Sequence, residues 1–276
     1  MKKTIYSTVL LSTLLLVGCQ NDAASYEENT QEQPEDATEQ VESEEEAENT
    51  EDTNEPESNY EEVTYEYQIN PDTFAVESIE ADEATDEKLV LLTFDDAPYG
   101  NTIEIAEALQ ERDVSAIFFV NSMYMDEEGT EVMQQVHDMG FEIGNHTHTH
   151  AKLDDYSEEE QYEEIVSTND IVEEATGERP RFFRAPHGVR TDYAKEVVAE
   201  EGMTWMNWSF GYDWESQYQD ADALADITLN TELLGDGANI LMHDREWTAG
   251  ATPEIVDGLL EQDFTIVDPN LITHEN

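Results

Sequence analysis

Seven short apolar runs recur between residues 88 and 268, with helical patterns filling the intervals, and this alternation limits the fold more than any other feature of the chain. The runs are Leu89–Phe94, Ala116–Asn121, Phe141–Asn145, Phe182–Ala185, Met203–Ser209, Ile240–His243 and Phe264–Val267. Continuous apolar runs of this length suit strands buried on both faces. Helical spacing of apolar residues predicts helices over Thr102–Arg112, Gly129–Met139, Ser157–Gly177, Asp192–Glu201, Ala221–Leu234 and Pro253–Glu261. The third is the most clearly bounded, since Ser157 and Glu160 form a capping-box pattern and Gly177 supplies a stop. Strands alternating with helices predict an α/β fold, either a (β/α) barrel or a doubly wound sheet. No internal repeat is visible, and no Gly-rich phosphate loop follows any of the runs.

The first run ends Thr93-Phe94-Asp95-Asp96-Ala97-Pro98. Two carboxylates at the end of a buried strand are costly unless something compensates them, and a metal ion is a common compensation. Barrel enzymes place their chemistry at that end of their strands. Asp-Asp before Pro is also ordinary turn chemistry, so the remaining strand ends decide the matter.

The third run leads into His146-Thr147-His148-Thr149-His150, which holds three of the chain's seven histidines. In a strand all three would share one face. In a helical turn His146 and His150 would stack at i and i+4 while His148 points away. A loop after a strand favours the helical turn, giving two imidazoles that converge on one point. One carboxylate from Asp95–Asp96 would complete a two-His, one-carboxylate group with open positions, suited to a hydrolytic metal.

Two more run ends carry groups such a site needs. Arg184, in Phe182-Phe183-Arg184-Ala185-Pro186-His187-Gly188, reads as buried, and in a chain this poor in arginine it is expected to pair with a site carboxylate. His243 ends the sixth run; taken alone it reads as a core histidine. Trp205, Trp208, Phe210, Tyr212 and Trp214 surround Asp213, a cluster that suits either stacking on sugar rings or plain core packing.

Outside this region the sequence reads as an address. Lys2 and Lys3 precede an apolar stretch, Val9 to Val17, that ends Leu16-Val17-Gly18-Cys19. This pattern predicts a secretory signal over residues 1–18. Its ending resembles a bacterial lipoprotein signal, which implies cleavage before Cys19 and a lipid on that sulfur. Cys19 is the sole cysteine, so no disulfide can form within the chain. Residues 20 to 60 hold 16 acidic residues and no Lys or Arg, and residues 19–65 are expected to be a disordered acidic tether ahead of a domain over 66–276. The chain has 68 acidic residues; beyond the tether 52 remain against 9 Lys and Arg, a net charge near −43. That charge makes nucleic acid an unsuitable partner and suits work in high salt, where screening tolerates the self-repulsion. The predicted location is the outer face of a bacterial membrane, with the membrane reached through the lipid on Cys19 and no obligate protein partner.

The motifs, in order, resemble one family. Thr93-Phe94-Asp95-Asp96, His146-Thr147-His148-Thr149-His150, Arg184-Ala185-Pro186-His187-Gly188, Asp213-Trp214 and Leu241-Met242-His243 are similar to the five motifs of polysaccharide deacetylases, the NodB-like domain of carbohydrate esterase family 4. The resemblance covers roughly residues 87 to 268 and implies a distorted (β/α) barrel. It implies that Asp96, His146 and His150 hold a divalent metal, zinc first and cobalt or manganese as alternatives. It further implies Asp95 as the base, Arg184 holding it, His243 as the acid and Asp213 orienting that acid. The backbone N–H of His187 would stabilise the oxyanion, and Trp214 and Leu241 would wall the acetyl pocket. Peptidoglycan N-acetylglucosamine is the expected substrate, with chitin-like or xylan-type glycans, or a silent wall-binding module, as alternatives. Three departures stand out: Ala97 where Gly is common, His187 where Tyr is common, and a loop one residue shorter before Asp213, with Gly211 near a usual aspartate.

Overall fold

The computed structural model describes residues 64–80 and 87–274. The predicted signal, the lipid site at Cys19 and nearly all of the predicted tether lie outside the described residues. Among the described residues no helix is long and apolar enough to cross a membrane.

A two-stranded antiparallel hairpin comes first, β1 (Tyr67–Ile69) and β2 (Val76–Ser78). A parallel sheet follows, built from β3 (Lys88–Ala97), β4 (Ile117–Val120), β5 (Glu142–Asn145), β6 (Phe182–Phe183), β7 (Thr204–Trp205), β8 (Ala238–His243) and β9 (Phe264–Ile266). Its order is β7-β6-β5-β4-β3-β8, and β9 pairs with the first residues of β3. Between the strands run α1 (Thr102–Gln110), α2 (Glu127–Asp138), α3 (Glu158–Thr176), α4 (Asp192–Glu200), α5 (Ala221–Asn230) and α6 (Glu246–Glu261).

Side chains alternate along β3. Leu89 and Leu91 point inward to meet Ile117, Phe119, Phe182 and Val267. Val90, Leu92 and Phe94 point outward into the larger layer shared with the helices. All five are buried, which is why the run shows no polar alternation. The hairpin adds Ile69, Phe74 and Val76 to the inner cluster. It docks where β3 and β8 begin: Val76 N donates to Gly237 O at 3.0 Å, and Gly237 N to Leu89 O at 2.9 Å. The opposite, C-terminal end of the barrel is left for the site.

The sheet is a distorted barrel, and its distortion corrects one expectation. Met203–Ser209 is not one strand. Thr204 and Trp205 pair with β6, after which the chain crosses to the other edge. There Ser209 N donates to Asn239 O at 2.8 Å and Leu241 N to Phe210 O at 2.9 Å. One segment thus bonds both edges and closes the ring.

Other boundaries also move. β6 stops at Phe183, ahead of Pro186, which has no N–H to continue a ladder. α6 starts at Glu246 and carries Pro253 in its interior, because Thr248, Ala249, Ala251 and Thr252 are buried ahead of the proline and hold that turn in place. The hairpin of β1 and β2 lies ahead of the seven expected runs. The bounds of α3 agree with expectation: Ser157 accepts from Glu160 N, Glu160 accepts from Ser157 N at 2.8 Å, and Gly177 sits at φ 82°.

Candidate active site

Asp95 and Asp96 would face opposite ways in a regular strand. A bulge in β3 between Phe94 and Ala97, with Asp96 at φ 65°, turns both carboxylates toward one cavity. A left-handed aspartate is a strained conformation of the kind that functional sites retain. The cavity has a volume of about 560 Å³ and also receives His146, His150, His187, Trp214, Leu241 and His243.

Asp95 is held from below by Arg184, which is fully buried. Arg184 Nη1 donates to Asp95 Oδ1 and to Thr93 Oγ1, both at 2.8 Å. Nη2 donates to Asn207 O at 2.8 Å and to Asn239 Oδ1 at 3.1 Å, and the guanidinium lies 4.4 Å above the Phe119 ring. The other carboxylate oxygen, Asp95 Oδ2, faces His146 Nε2 at 3.5 Å.

Asp96, His146 and His150 each bring one donor atom, and these atoms lie within 4.8 Å of one another. His146 Nδ1 donates to Arg184 O at 2.7 Å, which leaves Nε2 as the lone-pair nitrogen facing the carboxylates. Burial pushes the pKa of His146 down, and burial together with His146 takes His150 down to about 4. Burial opposes ionisation of Asp96, but the neighbouring imidazoles and Arg245 outweigh it and hold its carboxyl below the ordinary value. The result at neutral pH is two neutral imidazoles and one carboxylate. Asp96 Oδ1 is buried without a hydrogen-bond partner, 3.5 Å from His150 Nε2 and 3.9 Å from His146 Nε2. An unpartnered buried oxygen beside two imidazole nitrogens is the donor set of a divalent cation, so the residues fit the implied metal.

The segment 146–150 is not a helical turn, contrary to expectation. Thr147 and His150 have φ of 67° and 58°, and the loop is set by groups outside it. Asn145 Oδ1 accepts from Thr147 N at 2.8 Å, and Glu164 on α3 accepts from Thr149 N at 2.8 Å and from Thr149 Oγ1 at 2.6 Å. His146 and His150 still meet, with ring centroids 5.1 Å apart, while His148 turns away to Ser122 Oγ at 2.8 Å. His148→Ala is therefore expected to leave metal stoichiometry at the wild-type value. Loss of bound metal in that variant, measured on the purified protein, would show the loop to be held differently.

His243 is not a core histidine: it lines the cavity and is paired with the fully buried Asp213. Asp213 Oδ1 meets His243 Nδ1 at 2.8 Å, and Oδ2 accepts from His243 N at 2.5 Å and from Thr248 Oγ1 at 2.9 Å. The shorter loop before Asp213 leaves this pairing intact. Burial alone would depress the pKa of His243, but the hydrogen bond and charge of Asp213, with Asp95 and Asp96, raise it above the ordinary imidazole value. Trp214, 46% exposed, stands edge-on to His243 with centroids 5.6 Å apart. His187, at φ 57°, packs its ring edge-on against His150 at 4.8 Å.

Sequence reasoning passed over Arg245. Its Nη2 donates to Asp96 Oδ2 at 2.6 Å, leaving Oδ1 free to face the imidazoles. The scarcity of arginine that drew attention to Arg184 applies equally to an arginine two residues past a strand-end histidine. Asp244, also passed over, is fully buried and ties the loop after β3 to the end of β8.

A parallel barrel whose strand ends gather carboxylates, imidazoles and an arginine in one open cavity has the layout of a barrel enzyme. Comparison with known proteins gives the family. A polysaccharide deacetylase family model matches residues 82–206. The peptidoglycan-N-acetylmuramic acid deacetylase PdaC of Bacillus subtilis is 31% identical over 198 residues, covering 69% of this chain and 40% of that protein. A solved structure of PdaC superposes with a TM-score of 0.60 at 30% identity, over 67% of this chain and 89% of the solved one. A bifunctional xylanase/deacetylase of Pseudobutyrivibrio xylanivorans is 26% identical over 66% of this chain and 30% of its own length. A solved family 4 carbohydrate esterase pseudoenzyme from Bacillus anthracis gives a TM-score of 0.61 at 27% identity, over 67% of this chain and 64% of the other. The chain belongs to the polysaccharide deacetylase family. It spans 30% and 40% of the two curated relatives' lengths.

Proposed function

We propose that this chain is a metal-dependent hydrolase that removes N-acetyl groups from amino sugars of a cell-wall polysaccharide, with peptidoglycan N-acetylglucosamine as the first substrate. The observation that carries the reading is the presence, in one cavity, of two separately partnered proton-handling groups beside a metal-type donor set. Asp95 is held by Arg184 and His243 by Asp213. Amide hydrolysis needs both a base for water and an acid for the departing amine.

Asp96, His146 and His150 would hold the ion. A divalent metal bound there, zinc first and cobalt or manganese next, supplies Lewis-acid polarisation of the acetamide carbonyl and a lowered pKa for water. Asp95 takes the proton of the attacking water on Oδ2, the oxygen not engaged by Arg184. Arg184 fixes the plane of that carboxylate through Oδ1. The backbone N–H of His187 is the donor assigned to the developing oxyanion. His243, with Nδ1 held by Asp213, presents Nε2 to the nitrogen of the leaving amine and donates its proton there. Trp214 and Leu241 wall the space for the acetyl methyl.

The raised pKa of His243 has a definite sign. The acid must carry its proton, so activity is retained up to the pH at which His243 loses it. The basic limb of kcat/KM is therefore expected above the ordinary imidazole range near ~6.5. Asp213→Asn should lower the rate and move that limb to lower pH. A limb that stays in place in Asp213→Asn would assign it to another group.

Peptidoglycan is favoured among substrates because the lipid signal at Cys19 and the acidic tether suit an enzyme held on the outer membrane face beside the wall, in high salt. The identity to PdaC supports peptidoglycan as the polymer, though PdaC is named for the other amino sugar of that polymer, N-acetylmuramic acid. The decisive experiment is acetate release in molar salt with added zinc, from purified peptidoglycan and from N-acetylglucosamine oligomers. Release from peptidoglycan that is abolished by chelator and by Asp95→Asn supports the reading. Release from acetylated xylan alone would move the substrate, and no release from any polymer by the metal-loaded protein would leave a binding module.

A further inference from the structure

Arg245 lines the catalytic cavity and bonds Asp96 rather than the base. An arginine on a surface carboxylate usually contributes little. This one is held on several sides. Its Nη1 donates to the backbone O of Asp244 at 2.8 Å, and its guanidinium lies 4.7 Å from the Tyr99 ring, which meets the edge of Tyr124 with centroids 5.4 Å apart. The backbone on either side is fixed as well. The buried Asp244 carboxylate accepts from the backbone N of Tyr99 and of Asn101, both at 2.6 Å, so the loop that backs the guanidinium is tied to the residue before it. Beyond it, Trp247 Nε1 donates to Asp213 O at 2.8 Å and Thr248 Oγ1 to Asp213 Oδ2 at 2.9 Å. Arg245 Nη2 is thereby delivered to one carboxylate oxygen, Asp96 Oδ2, at 2.6 Å.

We infer that Arg245 is a positioning residue that keeps Asp96 a one-oxygen ligand of the divalent ion, and so preserves an open coordination position for water and the substrate carbonyl. A carboxylate can offer a cation one oxygen or two. Asp96 has its two oxygens already divided: Oδ2 is taken by the guanidinium, while Oδ1 is buried without a hydrogen-bond partner, 3.5 Å from His150 Nε2. The left-handed backbone at Asp96 sets where the side chain starts, but not which oxygen turns toward the imidazoles. The bond from Nη2 decides that. The same bond lowers affinity, because a positive charge on the ligand carboxylate opposes a dication. Arg245 therefore loosens the hold on the ion while it keeps the site open, the reverse of an arginine that merely steadies a ligand. The two adjacent carboxylates are thus served separately, Asp95 by Arg184 and Asp96 by Arg245. The inference rests on the reading of the site as a metal-dependent hydrolase.

The test uses the full chain, stripped with chelator and reloaded with cobalt(II), whose visible absorption weakens as the ion gains ligands beyond a tetrahedral set. Arg245→Met is expected to bind cobalt at the wild-type stoichiometry and to hold it more tightly in competition with a chromophoric chelator. Its absorption should be weaker than that of the wild type, as Asp96 Oδ2 joins the ion. Acetate release from N-acetylglucosamine oligomers should fall about 10–100-fold, the usual effect of removing a group that bonds a metal ligand. Arg245→Lys, which keeps a donor for Oδ2, should return the spectrum and most of the turnover. Weaker cobalt binding in Arg245→Met would make Arg245 a simple brace and overturn the inference, and so would an unchanged spectrum. A wild-type chain that binds cobalt but releases no acetate would overturn the deacetylase reading alone, since the affinities and spectra of the variants would still decide the role of Arg245.

Discussion

Asp95→Asn is expected to lower turnover by about 10²–10⁴-fold, the usual share of a positioned general base, while the protein keeps its metal. The two halves of this expectation come from different oxygens. Asp95 Oδ1 is engaged by Arg184 Nη1 at 2.8 Å, and an asparagine oxygen can accept the same bond, so the geometry beneath the site is retained. In the proposed reaction Oδ2 is the proton acceptor, and an amide in its place cannot take a proton at neutral pH. The metal-type donors are Asp96, His146 and His150, none of which the substitution touches. Acetate release and metal content measured on one preparation separate the outcomes. Near-wild-type turnover would remove Asp95 as the base. Metal lost in proportion to activity would make Asp95 a ligand rather than a base.

The parts of this site that were legible in the sequence are those fixed by short-range chemistry. The run Leu89 to Phe94 is apolar throughout because β3 is covered on both faces, and a buried strand ending in two carboxylates is conspicuous for that reason. The α3 cap was legible because Ser157, Glu160 and Gly177 are within or next to the helix they bound. The histidine loop was not. Its left-handed residues are Thr147 and His150, neither of which advertises a positive φ as glycine would. The groups that impose it, Asn145, Glu164 and Asn121, act from β5, α3 and the end of β4. The i, i+4 spacing pointed to the correct pair of imidazoles through the wrong backbone. The crossing of residues 206–210 from one sheet edge to the other was equally hidden, since both halves are apolar and only closure of the ring separates them. The hairpin at 67–78 was missed because its strands are three residues each, too short for alternation to register.

Arg184→Met is the substitution with the largest expected cost to the fold. Arg184 is fully buried and its partner Asp95 is 2% exposed, so removing the cation strands a carboxylate in the interior. Breaking one side of a buried pair costs about 3–5 kcal/mol, against a total stability of about 5–15 kcal/mol for a domain. The loss also leaves Asn207 O without the donor that Arg184 Nη2 provides at 2.8 Å. For a domain of this size the melting temperature is expected to fall by about 2–4 °C per kcal/mol, or roughly 10 °C in all. A general packing defect would produce a similar fall, so the single variant does not decide the cause. The double variant Asp95→Asn with Arg184→Met does. If the cost arises from the uncompensated Asp95 charge, replacing that carboxylate by an amide returns much of the stability, and the double variant melts above Arg184→Met alone. If the two losses simply add, the guanidinium acts through packing on Phe119 and its bonds to Thr93, Asn207 and Asn239, and Asp95 is held in place by something else.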